Sequence, residues 1–247
     1  MDLATIIGLC LGFGAIIGGA ALEGLHLMSL VQPTAAMIVL GGTFGACFIS
    51  FPLKVVIKGF KDVIKAVLPP KEDPEKVIKD MIGYATKARR NGLISLEQEA
   101  QSVKDPFTKK GISLVVDGID PQKLRETLET EIGAYEEHEK GSVEFFEAAG
   151  GYAPTIGIIG AVLGLIHVMS NLSDASKLGA GIATAFVATI YGLLTANIVC
   201  LPIGAKLKHH VKEGVQMKTM VLEGLIAIQN GENPHFIEQK LKAFMHH

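Results

Sequence analysis

The residues that could do chemistry are few, and most are set singly into apolar surroundings. In "YAPTIGIIGAVLGLIHVMSNL", residues 152–172, His167 is the one imidazole, and in "FVATIYG" Thr189 is an isolated hydroxyl. An imidazole in such a place could pass a proton, and a hydroxyl could help coordinate an ion. A path for ions through a membrane normally also shows Asp, Glu, Lys or Arg facing the interior, and none occurs in any long apolar segment of this chain. If ions cross here, another chain supplies the carboxylate. At a rise of ~1.5 Å per residue, His167 sits only about a turn and a half from the far end of its segment. Its ring can therefore reach interfacial water, and a satisfied structural histidine is the preferred reading over a relay.

Other chemistries find no residues. Cys10, Cys47 and Cys200 all fall in apolar segments, where a thiol is a packing group, so neither a disulfide nor a metal site is expected. No glycine-rich phosphate loop occurs, and no cofactor, nucleic-acid or nucleotide-hydrolysing role is expected. The chain does not read as an enzyme.

The elements that must position these groups follow from the distribution of charge. Hydrophobic residues make up 49% of the 247, yet the net charge is only -2. Leu3–Leu22, Pro33–Leu53, Ala148–Leu172 and Leu178–Ala205 contain no Asp, Glu, Lys or Arg. Each is close to the ~20 helical residues that cross a bilayer. A buried helix of a soluble protein is the alternative, but such helices seldom run so long without a charge on a wet face. The first segment lacks a basic leader and is longer than a signal-peptide core, so it is expected to stay. The expected class is an all-α membrane protein, with transmembrane helices at 1–24, 33–53, 148–172 and 178–205. Lys54, Lys58, Lys61 and Lys65 follow the second span, and Lys206, Lys208, Lys212 and Lys218 follow the fourth. The positive-inside rule then puts the hairpins 25–32 and 173–177 in the periplasm, and 54–147, the tail 206–247 and both termini in the cytoplasm.

The region 54–147 reads as helical. Asp73-Pro74 is an N-cap followed by a first-turn proline, and Val77, Ile78, Met81, Ile82, Ala85 and Ala88 recur on one face until Gly92. Ser95 with Gln98 predicts a capping box, and Asp120-Pro121 starts a helix running toward the third span. In the spans, Ala153, Gly157, Gly160, Gly164, His167 and Asn171 form one stripe, and Gly181, Ala185, Ala188, Gly192 and Thr195 or Ala196 another. Small stripes let backbones approach. Either the two spans pack on each other or on their neighbours, or another chain's helix or a narrow hydrated path lies against them.

The segments "APTIGIIGAVLGLIHVMSNL", "GAGIATAFVATIYGLLTANIVCLPIGAKL", "VQPTAAMIVLGGTFGA" and "KARRNGLISLEQEA" resemble the MotA/TolQ/ExbB proton-channel family over nearly the whole chain. The four-span layout matches its MotA-type flagellar stator branch rather than the three-span TolQ and ExbB. The resemblance implies a homopentamer around a MotB dimer, whose helix carries the proton-accepting aspartate, in the bacterial inner membrane. It implies that Pro154 and Pro202 take part in the conformational step and that Thr189 stands near the partner's carboxylate. Ala161 falls where proton-driven stators carry alanine and sodium-driven ones threonine, and the small positions Gly160 and Gly164 belong to the same face. Arg89 and Glu97, with Arg90 beside them, match the charges that engage the rotor protein FliG. Each has a plainer reading: the prolines kink helices, Thr189 bonds its own backbone, Ala161 is a packing residue, and Arg89 and Glu97 complement helix dipoles. A TolQ- or ExbB-like energiser of outer-membrane processes and a non-conducting scaffold are the alternative functions.

Overall fold

The computed structural model describes residues 3–68, 73–170 and 175–246, and among these every regular element is helical. The helices are α1 (Leu3–Leu22), α2 (Pro33–Ser50), α3 (Leu53–Val67), α4 (Pro74–Asn91), α5 (Glu97–Ser102), α6 (Pro106–Val116), α7 (Pro121–Met169), α8 (Ala175–Leu194), α9 (Leu201–Gln229) and α10 (Pro234–Lys242). A π-helical turn, Thr195–Cys200, joins α8 to α9. Four helical stretches are long and apolar enough to cross a membrane: Leu3–Leu22, Leu27–Ser50, and parts of Pro121–Met169 and of Gly181–Gln229. Of the short hairpin expected at 173–177, residues 173 and 174 lie outside the described residues, and α8 begins at Ala175. Asn171, the last member of the first small stripe, lies outside them too.

The chain forms two compact units, Met1–Pro70 with Lys140–His209, and Lys71–Glu139 with His210–His247. In the first, the buried side of α2 is a row at helical spacing, Ala35, Val39, Thr43 and Cys47. Ala35 and Val39 pack on Val187 and Ala188 of α8. Polar bonds fasten the ends of these helices: Tyr191 Oη donates to the Leu30 carbonyl, and Thr184 Oγ1 reaches Gln32 Oε1 at 3.4 Å. The next helix, α3, docks on α7 through Gly59, where an added Cβ would stand 2.8 Å from the Phe145 ring. Phe60 and Phe51 also stack edgewise on Phe145. Beside them Asp62, its side chain only 6% exposed, takes Lys58 Nζ at 2.7 Å, Lys65 Nζ at 2.9 Å and the Ser142 hydroxyl at 2.6 Å. Burial alone would raise this carboxyl, but the two ammonium groups and the Ser142 hydroxyl hold it below the usual range. A buried carboxylate is tolerable only with such compensation.

The second unit is built by caps and punctuation. Asp73 accepts from the Lys76 N–H at 3.1 Å, Asp105 from the Thr108 N–H at 2.9 Å and Asn233 from the His235 N–H at 3.0 Å. Proline follows each of these caps in the first helical turn, where its missing N–H costs nothing. Gly92, at φ 79°, ends α4 in a conformation that a side chain would strain. The capping box expected from Ser95 and Gln98 does not form. Ser95 Oγ instead donates to the Gly92 carbonyl at 2.7 Å, and α5 starts at Glu97 after a 3₁₀ turn, Leu93–Leu96. Ser95 thus serves the turn that Gly92 opens, and the competing local hydrogen bond wins. The core gathers Ile78, Met81, Leu96, Phe107, Ile112, Leu124, Leu128, Met220, Leu225, Ile237 and Leu241. Glu223 ties three helices across its edge, meeting Arg125 and Lys240 at 2.7 Å each.

Candidate functional site

The small residues of α7 and α8 meet one another. A Cβ built on Gly157 would stand 3.0 Å from the Ala188 carbonyl oxygen and 3.2 Å from Gly192 Cα. One on Gly160 would meet Ala188 Cβ at 2.8 Å, and one on Gly164 would meet Ala185 Cβ at 2.9 Å. From the other side, a Cβ on Gly192 would stand 2.6 Å from the Ala153 carbonyl oxygen. In lipid, such backbone contact is what holds helices together, since the apolar surroundings offer no hydrophobic drive. Gly160 and Gly164 therefore lie in the chain's own α7–α8 seam, and the packing between spans is the one that the stripes make here.

Around that seam the residues sort by helical angle, at 3.6 residues per turn. On α2's side lie Val187, in the cluster with Ala35 and Val39, and Ile156, against Gly42. On the opposite side α7 presents Pro154, Ile158, Ala161 and Leu165, and α8 presents Ile182, Phe186, Thr189 and Leu193. Ile158, Leu165, Ile182, Phe186 and Leu193 are exposed, and Ala161, Thr189 and Pro154 half-buried. The chain thus leaves an apolar face with Ala161 and Thr189 beside the seam. They lie at nearly one level, since Gly157 touches Ala188, Thr189 and Gly192, and Gly160 touches Ala188. The Thr189 hydroxyl makes a long bond of 3.4 Å to the Ala185 carbonyl, so its oxygen keeps acceptor capacity toward this face. It is an apolar wall with one oxygen and no charge, able to border an ionised group but not to be one.

His167 is not brought to that face. It lies roughly 120° around α7 from Ala161, beside Gly181, whose Cβ would meet His167 Cδ2 at 3.6 Å. Pro154 stands inside α7 without ending it. Pro202 is the second residue of α9, separated by Leu201 from the end of the π turn at Cys200. The proline ring would crowd the carbonyl four residues back and has no N–H to give it, and the wider π turn, in which the Leu201 N–H bonds the Ala196 carbonyl, relieves that contact. The π turn itself was not legible beforehand, because widening depends on neighbours rather than on local pattern.

In the second unit Arg89 and Arg90 lie in the last turn of α4 and Glu97 in the first turn of α5, across the Gly92 corner. All are exposed, and none takes part in an ion pair among the described residues, whereas neighbouring Lys87 and Glu99 pair at 2.8 Å. The positions agree with the helix-dipole reading, and the exposure leaves the same charges available to a partner.

The sequence reading placed α3 within the helical region 54–147 but did not mark it off as an element. Its signal was present, since Leu53, Ile57, Phe60 and Ile64 recur at three and four, as do Lys54, Lys58, Lys61 and Lys65.

Residues 99–220 match the MotA/TolQ/ExbB proton channel family, and residues 6–92 match the Motility protein A N-terminal family. Motility protein A of Helicobacter pylori (strain ATCC 700392 / 26695) is 36% identical over 241 residues, covering 98% of this chain and 94% of that protein. Motility protein A of Bacillus subtilis is 35% identical over 249 residues, covering 99% and 91%. The chemotaxis protein PomA of Vibrio alginolyticus is 32% identical over 245 residues, covering 99% and 96%. Among solved structures, MotAB of C. jejuni superposes with a TM-score of 0.94 at 31% identity, covering 99% of this chain and 96% of that one. The flagellar MotAB stator complex of Bacillus subtilis gives 0.88 at 34% identity, covering 97% and 94%.

Proposed function

The chain belongs to the MotA/TolQ/ExbB proton channel family, and from that premise we propose how its geometry serves a flagellar stator. It is a stator subunit of the bacterial flagellar motor, working with a MotB-type partner. The observation that carries the mechanism is the uncovered apolar face bearing Thr189 and Ala161, in a chain with no carboxylate in any span. The partner's transmembrane aspartate stands against this face, and its protonation and release change the fit between the chains. Such a wall needs only to exclude water and accept one hydrogen bond, which Thr189 can do. Pro154 and Pro202, which offer no backbone N–H to their helices, are the places at which α7 and α9 bend. Five copies around a MotB dimer would carry Arg89, Arg90 and Glu97 to the rotor protein FliG.

This reading requires both termini and residues 54–147 in the cytoplasm of an inner-membrane protein. With Cys10, Cys47 and Cys200 replaced, a cysteine placed within 25–32 should react with an impermeant thiol reagent in permeabilised cells, and one near Lys110 should not. The reverse pattern overturns the orientation.

The ion is a proton. A desolvated sodium ion needs several oxygens at once, and Ala161 offers none beside Thr189, while Thr155 stands roughly 120° around α7 from Ala161. Cells lacking the native gene should build flagella but not swim, and the restored chain should drive swimming in sodium-free medium. Swimming should stop when the proton gradient is collapsed at constant sodium. Swimming that needs sodium and ignores the proton gradient assigns the other ion.

A further inference from the structure

α3 buries the wrong side for a helix with so many apolar residues. Its covered face is Val56, Gly59, Asp62 and Ala66, whereas Leu53, Ile57, Phe60 and Ile64 are exposed, Ile64 at 63%. By helical angle these four make one stripe, and Lys54, Lys58, Lys61 and Lys65 make a second stripe along its edge. Lys58 and Lys65 are committed to Asp62, while Lys54 and Lys61 are exposed.

The position of the helix within its unit fixes what this stripe faces. α1 and α2 are apolar spans joined by a short connection, so they cross the membrane in opposite directions, and the start of α1 lies at the same surface as the end of α2. The extended residues Phe51 and Pro52 turn the chain out of α2 into α3. At its other end, the Ala66 carbonyl of α3 comes within 3.5 Å of Thr5 Oγ1 in the first turn of α1. Both ends of α3 therefore stand at one membrane surface, and its ~22 Å length lies along that surface rather than away from it. The Phe60 ring reaches Phe44 of α2, centroid to centroid 5.4 Å, about 9 Å along α2 from its end. Phe44 lies inside the apolar span that ends at Ser50, so the ring stands at a level within that span.

We propose that α3 binds anionic phospholipid, with Leu53, Ile57, Phe60 and Ile64 in the acyl region and Lys54 and Lys61 on the headgroup phosphates. The choice of occupant rests on charge complementarity, four lysines against one buried aspartate, and on continuity with the spans at both ends of the helix. An apolar stripe edged by lysine is the pattern of helices that lie in a bilayer interface. Each lysine near an anionic surface favours it by about fivefold. The proposal rests on the membrane reading above, and not on which leaflet is cytoplasmic.

The chain has no tryptophan, so Ile64→Trp in the full-length protein is a lone reporter, with Ile57→Trp as a second should the first disturb folding. The protein is placed in nanodiscs carrying brominated phosphatidylglycerol or brominated phosphatidylcholine at equal mole fraction, with both leaflets alike. Both lipids should quench the reporter, phosphatidylglycerol the more strongly, and Lys54→Glu with Lys61→Glu should remove the difference while phosphatidylcholine still quenches. Absence of quenching by either lipid would mean that protein, such as a second copy, covers the stripe. Equal quenching with the lysines in place, or a preference that survives their reversal, would also overturn the proposal. Because the bilayer is symmetric, a wrong topology would appear in the thiol labelling and not here.

Discussion

Gly192→Val is expected to abolish swimming and to leave little of the chain in a complex with its partner. The atoms facing Gly192 are backbone: a Cβ would stand 2.6 Å from the Ala153 carbonyl oxygen and 3.1 Å from Gly157 Cα. No side-chain rotation relieves such contacts, so α7 and α8 must separate, and overpacking in a tight seam costs typically ~1–3 kcal/mol. A loss of that size at the contact between two spans also deforms the face that carries Ala161 and Thr189. The comparison variant is Gly133→Ala, at a helical glycine whose Cβ would meet nothing within 4 Å. It should swim normally, since alanine favours a helix over glycine by about 1 kcal/mol. Swimming speed and the amount of partner co-purified from membranes decide the matter. A Gly192→Val protein that assembles and swims like the parent would show that the seam is looser than its distances say.

The second large effect is expected at the Gly92 corner. Arg89→Glu with Glu97→Lys should leave the chain in the membrane at normal level and stop or severely impair swimming, with partial recovery from opposite charge changes on FliG. The exposure of both residues and their lack of ion pairs among the described residues make this a clean test, since helix-end charges are worth only ~0.3–1 kcal/mol each. If the charges serve only the helix ends, the variant should lose stability and membrane level together, and no FliG change should restore it. Lys87→Glu is the contrast. It breaks the 2.8 Å pair with Glu99 that joins α4 to α5, so its effect should appear as lowered stability of the folded protein.

The spans were legible because nothing but composition and length is needed to find them. Residues such as Asp73 and Gly92 were legible for a similar reason, since a cap or a positive φ is decided within a few residues. What escaped was decided at a distance. Ser95 looked like a cap until the turn at Gly92 offered its carbonyl. Gly160 and Gly164 looked equally suited to a partner and to α8, because a small stripe says that a backbone comes close but not whose. Ala161 and Thr189 could be placed on one face only once the seam gave the two helices a common reference. The lysines after α2 were read for the sign of their charge alone, and their helical period, which with the apolar stripe defines α3, was visible and unused.

The carboxylate of Asp62 reaches a hydroxyl eighty positions further along the chain, at Ser142. Translation at about 5–20 residues per second separates the two by roughly 4–16 s. During that interval the seat that α7 gives Asp62 has not been made, and only Lys58 and Lys65, on its own helix, neutralise it. A newborn α3 then has α1 and α2 at hand, through Thr5 and Phe44, and, on the proposal above, the bilayer beside them. If α3 lies in the interface as proposed, the spans and the lipid are its first neighbours and α7 a later one, so that this corner of the molecule would be assembled from the lipid inward.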